Sequence, residues 1–341
     1  MILLIPLSIF FVWFALRLAG DLSQSRARRG AAALGVRFAS MADARLAWRF
    51  FEGPSGAPVV VVESALASSM VEWWPLAERL AKAFSVLVYD RAGYGFSPAS
   101  RFPRTPDQIA RELLRLLEHA GIRDPVILLG HSQGGLYAQK FARMYPARVR
   151  AVVFLDPLTA EASRMREELS RAEYRGSGDD KTSMIVRGRL ISMFGLGPFF
   201  GPRLRKAPPF TLHAFSPDEQ AWLLTHLTRS ETWRTAWGEY HGARTREVRD
   251  ELLPTLGFPN LPIRILFHAE VPLLSGSGKG GSITREQAEK VEAIRERMAR
   301  RLLTLGNDAR FVRSKRSNEY LHLQDPDLVE STLLEAASRG H

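Results

Sequence analysis

Four stretches of the chain are apolar with no polar face, Val59–Val62, Val86–Tyr89, Val126–Leu129 and Ala151–Leu155, and Ile263–Phe267, interrupted by Arg264, resumes the pattern later. A strand wet on one side alternates, so unbroken runs predict strands buried on both faces, as in a parallel sheet. Helical spacing fills the intervals, over about 72–83, 105–120 and 136–145, and again over 284–305 and 325–337. Thr105 with Pro106 and Gln108, and Thr284 with Gln287, are the residues that cap the first free N–H groups of a helix. Weak alternation within 36–51 predicts a hairpin ahead of the sheet, and Ala309–Arg313 a last strand. Strands and helices taking turns in this way predict an α/β fold with a doubly wound, mostly parallel sheet.

From Leu158 to about Pro262 the alternation stops, and proline, glycine, tryptophan and arginine become frequent around short helical segments such as Asp218–Thr228. Residues 158–261 therefore read as a cap inserted into a core made of 36–157 and 262–341. Such a cap supplies a substrate pocket or an interaction surface. Ser275–Ser282 (SGSGKGGS) lacks the spacing of a phosphate-binding loop and predicts a flexible connection.

Ahead of the core, Ile2–Leu16 carry no charge, and 1–20 approach the length that crosses a bilayer as a helix. Trp13 and Arg17 suit its interface, and no small-x-small cleavage site follows. Residues 1–20 are thus expected to be a retained single-pass anchor on membrane lipid, and 21–35 a basic linker. Arg26, Arg28, Arg29 and Arg37 then place the main domain on the cytoplasmic side by the positive-inside bias. The 341 residues hold no cysteine, which excludes disulfides and thiolate metal sites. A net charge of +11 without a long basic run or a nucleic-acid motif gives no support to nucleic-acid binding.

Candidate chemistry begins at Gly130-His131-Ser132-Gln133-Gly134. A buried strand, a small-residue turn and a helix stand there in the order of a nucleophile elbow. The glycines permit a sharp turn that pushes Ser132 out at the carboxyl end of the strand. The unpaired amides and positive dipole of the following helix favour an oxyanion beside it.

With Asp90-Arg91-Ala92-Gly93-Tyr94-Gly95-Phe96-Ser97 before the elbow and Leu155-Asp156-Pro157 after it, residues 36–338 resemble the α/β-hydrolase superfamily. The resemblance implies Ser132 as nucleophile, the amides of Gln133 and Leu66 as the oxyanion hole, and Asp156 as the orienting acid, with Glu270 as second choice. No metal or organic cofactor is implied. It also shows two departures. The family's basic histidine stands seven residues before a helix-opening proline, here Pro326, and that position is Glu319; the nearest histidine is His322. The oxyanion loop, usually Glu-Ser-Gly-x-Gly, reads Glu63-Ser64-Ala65-Leu66-Ala67.

Two functions follow. One is a membrane-anchored serine hydrolase of a small ester, thioester or amide, with His322 or another histidine taking the proton from Ser132. The other is a hydrolase-like fold without catalysis, serving as a scaffold or accessory subunit of a membrane-protein complex.

Overall fold

The computed structural model describes residues 30–253, 257–269, 283–315 and 319–339. Eight strands form one sheet: β1 Arg37–Ser40, β2 Arg45–Phe51, β3 Val59–Glu63, β4 Ser85–Asp90, β5 Val126–His131, β6 Val149–Leu155, β7 Ile263–Phe267 and β8 Ala309–Arg313. Their spatial order is β1-β2-β4-β3-β5-β6-β7-β8. The first hairpin and the β2–β4 pair are antiparallel, and every pairing from β4 through β8 is parallel. The central strands are apolar throughout because both faces are covered. Val60, Val62, Ile127, Leu129 and Val153 pack into one layer, while Val61, Leu128 and Val152 pack into the other.

The connecting helices are α1 Trp74–Leu80, entered through a 3-10 turn at Met70–Trp73, α2 Pro106–His119 and α3 Gln133–Met144. Seven more follow in the inserted region: α4 Met165–Glu168, α5 Arg171–Gly176, α6 Thr182–Met193, α7 Gly197–Leu204, α8 Pro217–Thr228, α9 Ser230–Gly242 and α10 Arg246–Leu252. The chain then adds α11 Arg285–Arg300, α12 Leu321–Gln324 and α13 Pro326–Arg339. Thr105 caps α2 by accepting from the Gln108 amide, and Thr284 with Gln287 forms a full capping box on α11.

Two expected helices differ at their ends. The one expected from Leu136 begins at Gln133, directly after Ser132, and the one expected from Glu72 opens with the 3-10 turn. The expected anchor at 1–20, Glu270 and the 275–282 connection lie outside the described residues. Among the described residues no helix is long and apolar enough to cross a membrane.

Candidate active site

The loops at the carboxyl ends of β3, β5, β6 and β7 and the segment after β8 converge on one cavity of about 80 Å³. This is the end of an open α/β sheet where ligands bind. Leu66, Ser132, Gln133, Asp156, His268 and Glu319 all line it, together with cap residues that include Lys181 and Arg244.

Ser132 occupies φ 49°, ψ −120° between β5 and α3. A non-glycine residue at positive φ costs about 1–3 kcal/mol unless its surroundings impose it. Close approach of two backbones imposes it here. A Cβ on Gly134 would stand 2.0 Å from the Glu63 carbonyl oxygen, and one on Gly130 would stand 2.7 Å from Gly135 Cα. The Ser132 amide donates to the Leu155 carbonyl at 3.0 Å, and its carbonyl accepts from the Leu158 amide at 2.8 Å. Among the described residues none hydrogen-bonds its hydroxyl.

The oxyanion loop is held by residues far away in sequence. Arg91, from the Asp90–Ser97 motif, is buried and donates to the carbonyls of Ser64 (2.7 Å) and Ala65 (2.9 Å). It also forms a two-pronged pair with the buried cap carboxylate of Glu239, at 3.0 and 2.9 Å, and a longer contact with Glu63 at 3.5 Å. Ala67, where the family has glycine, sits at φ 58°. Its carbonyl accepts from His226 Nε2 at 2.7 Å, while His226 Nδ1 accepts from the Gly95 amide at 2.9 Å. One neutral cap imidazole thus joins the oxyanion loop to the Asp90–Ser97 loop. Burial holds it uncharged by lowering its pKa to about 4. The same motif knots itself: Asp90 accepts from the amides of Met70 and Phe96, and Gly95 is required because a Cβ would lie 2.0 Å from Asp90 Oδ2.

Asp156 is at the cavity, at φ 44°, and its partner is an imidazole absent from the sequence-based candidates. His268, the residue after β7, places Nδ1 2.7 Å from Asp156 Oδ1 and Nε2 2.6 Å from Glu292 Oε2. Burial pulls its pKa down, but the two carboxylates outweigh this and raise it to about 9. His268 is therefore an imidazolium at neutral pH with both nitrogens occupied, and it cannot take a proton from Ser132. Arg295 extends the chain of charges, bonding Glu292 at 2.8 Å and Asp179 at 2.8 Å. A histidine closing an apolar strand at the carboxyl edge of the sheet was the signal for His268.

His322 does not reach the cavity. It is buried in α12, stacked on Trp73 at 4.0 Å between ring centroids, with Glu72 Oε1 3.0 Å from its Nε2. Burial lowers its pKa to about 3 and raises that of Glu72 to about 7. The correction has a geometric reason: three residues past the family's base position, the chain has already turned into α12, whose packing faces α1. Glu319 stands at the position itself, exposed, on the rim of the cavity. Its carbonyl accepts from His131 Nε2 at 2.8 Å, which leaves the His131 Nδ1 lone pair without a partner. Glu72, His131 and His322 bring ligand atoms within 4.8 Å of one another, and are the grouping among the described residues able to hold a metal ion.

Comparison with known proteins agrees with this geometry. Residues 58–176 match the family model described as alpha/beta hydrolase fold. An AB hydrolase superfamily protein of Gibberella zeae is 28% identical over 291 residues, covering 80% of this chain and 84% of that protein. Lipase LipV of Mycobacterium tuberculosis is 36% identical over 116 residues, 34% of this chain and 43% of the lipase. The enol-lactonase of Burkholderia xenovorans superposes with a TM-score of 0.61 at 20% identity, covering 89% of this chain and 100% of that one. Together with the sheet order and the turn at Ser132, these likenesses show the alpha/beta hydrolase fold, with residues 58–176 matching the family itself.

Proposed function

We propose that the protein is a serine hydrolase of a small carboxylic ester or related acyl compound. Ser132 is the nucleophile and the amides of Gln133 and Leu66 hold the oxyanion. One observation carries the reading: a strained serine, imposed by glycine-lined packing, presents an uncommitted hydroxyl to a cavity at the head of a helix. The volume of about 80 Å³ suits a small acyl group; sites for larger ligands run to several hundred Å³.

The proton acceptor in this reading is Glu319. Among the carboxylates lining the cavity, Asp156 is held by His268 and Asp179 by Arg295, while Glu319 has no such partner among the described residues. A carboxylate is about two pH units less basic than an imidazole, so turnover is slow. Labelling with a fluorophosphonate probe tests this: wild type reacts, Ser132→Ala does not, and Glu319→His reacts faster by on the order of 100-fold.

A second reading, a scaffold without catalysis, is favoured by the imidazoles themselves. His268 is saturated by carboxylates, and His322 is buried against Trp73. Wild type unlabelled by the probe, purified in mild detergent with stoichiometric partners, would select it. In both readings residues 1–20 anchor the chain in a bilayer with the main domain cytoplasmic. Deleting them should move the protein to the soluble fraction.

A further inference from the structure

Seven large apolar side chains are exposed among the described residues, and five of them, Val186, Leu190, Met193, Phe194 and Phe199, fall within residues 186–199 of the cap. Helix α6 carries apolar side chains on both sides, with Arg187 and Arg189 among the outer ones. Ile185 is fully buried and Gly188 backs onto the Trp233 ring, while Val186, Leu190 and Met193 recur at i, i+4 and i+7 on the opposite side. Phe199, 67% exposed, extends the patch from α7. Exposed apolar side chains concentrated in one segment in this way mark a contact.

The charge within the segment itself is of one sign. Residues 181–217 contain Lys181, Arg187, Arg189, Arg203, Arg205 and Lys206 and no acidic residue. The last five are exposed, with no carboxylate partner among the described residues. The chain also enters the fold on this side. Gly30, the first described residue, lies against Trp222 of α8, with 3.7 Å from an added Cβ to the indole. Helix α8 packs on α7 so closely that a Cβ on Gly197 would lie 2.6 Å from Thr228 Cβ. The described part of the chain therefore begins beside the helix that packs on α7.

We propose that the α6–α7 face of the cap docks on an anionic bilayer, its apolar side chains entering the interface and its arginines and lysine meeting lipid phosphates. A second copy of the chain is the rival occupant, but a two-fold contact through this face would set the two clusters of cations against each other.

The chain has no cysteine, so single-cysteine variants carry an environment-sensitive fluorophore at one site. Full-length Phe199→Cys and, on the exposed flank of α11, Glu289→Cys would be reconstituted into phosphatidylcholine vesicles containing about 30% phosphatidylglycerol and spin-labelled lipid. The residue-199 fluorophore should shift to the blue and be quenched, while the residue-289 fluorophore stays unquenched. Adding Arg203→Glu, Arg205→Glu and Lys206→Glu should weaken docking roughly fivefold for each charge removed, without changing the melting temperature. Equal quenching at both sites overturns the proposal. So does a residue-199 probe that is unquenched by lipid yet cross-links to its counterpart on another copy, which would give the patch to self-association.

Discussion

The protonation state of His268 separates an electrostatic strut from a catalytic base, and it can be read from stability. In the fold its pKa is about 9, against about 6.5 unfolded. A group whose pKa is raised by folding stabilises fully below its unfolded value, and the benefit disappears as pH climbs through the folded one. That difference corresponds to about 3 kcal/mol, lost between pH 6.5 and about 9.5. The side chain is 3% exposed, so little of this is screened away. Urea unfolding from pH 6 to 9.5 should show the decline in wild type. His268→Gln should start lower by about 3 kcal/mol, having broken a buried pair, and should lack the slope. Fluorophosphonate labelling of Ser132 in this variant should persist at a few-fold reduced rate. A flat wild-type profile, or an imidazole titrating near 7 by NMR, would refute the argument and return His268 to the candidates for general base.

Three further substitutions probe the frame around the cavity. Gly134→Ala drives a methyl to 2.0 Å from the Glu63 carbonyl oxygen and should cost about 3 kcal/mol or more in denaturant unfolding, together with the labelling of Ser132. Glu239→Gln leaves the buried Arg91 guanidinium half-paired; thermal melting should reveal a loss of about 3 kcal/mol. Ala67→Gly relieves a left-handed alanine at φ 58° and should stabilise by roughly 0.5–1 kcal/mol, with labelling changed less than about threefold because Arg91 and His226 already fix the loop.

What the sequence disclosed was local. The elbow lies within ten residues, its glycines and serine beside a strand that is apolar because both its faces are covered, and turn chemistry alone makes it legible. The residues that complete the site act over distance. His268 meets Asp156 across 112 residues of chain, Arg91 meets Glu239 across 148, and His226 meets Ala67 across 159. No periodicity encodes such pairs. The cap hid its helices for another reason. In α6 the exposed side carries Val186, Leu190 and Met193 among two arginines, which blurs amphipathic spacing, and Gly188 within α6 and Gly197 at the start of α7 stand where Trp233 and Thr228 leave no room for a Cβ. Those glycines look like breaks in the sequence and are packing contacts in the fold.

The two halves of the site have been treated differently. On the oxyanion side the chain departs from the family's glycines, yet the cap compensates: Glu239 steadies Arg91, Arg91 holds two loop carbonyls, and His226 holds a third. An alanine at φ 58° persists only because those contacts over-determine it. On the base side nothing compensates. An exposed carboxylate stands where a buried, oriented imidazole belongs, and the acid that would orient such an imidazole is bound to a different one. Whatever keeps Ser132 and its oxyanion loop in strained order therefore does not depend on rapid proton transfer. Slow acyl chemistry at the serine meets that condition, and so does stoichiometric binding in the same cavity; reaction with the phosphonate distinguishes them.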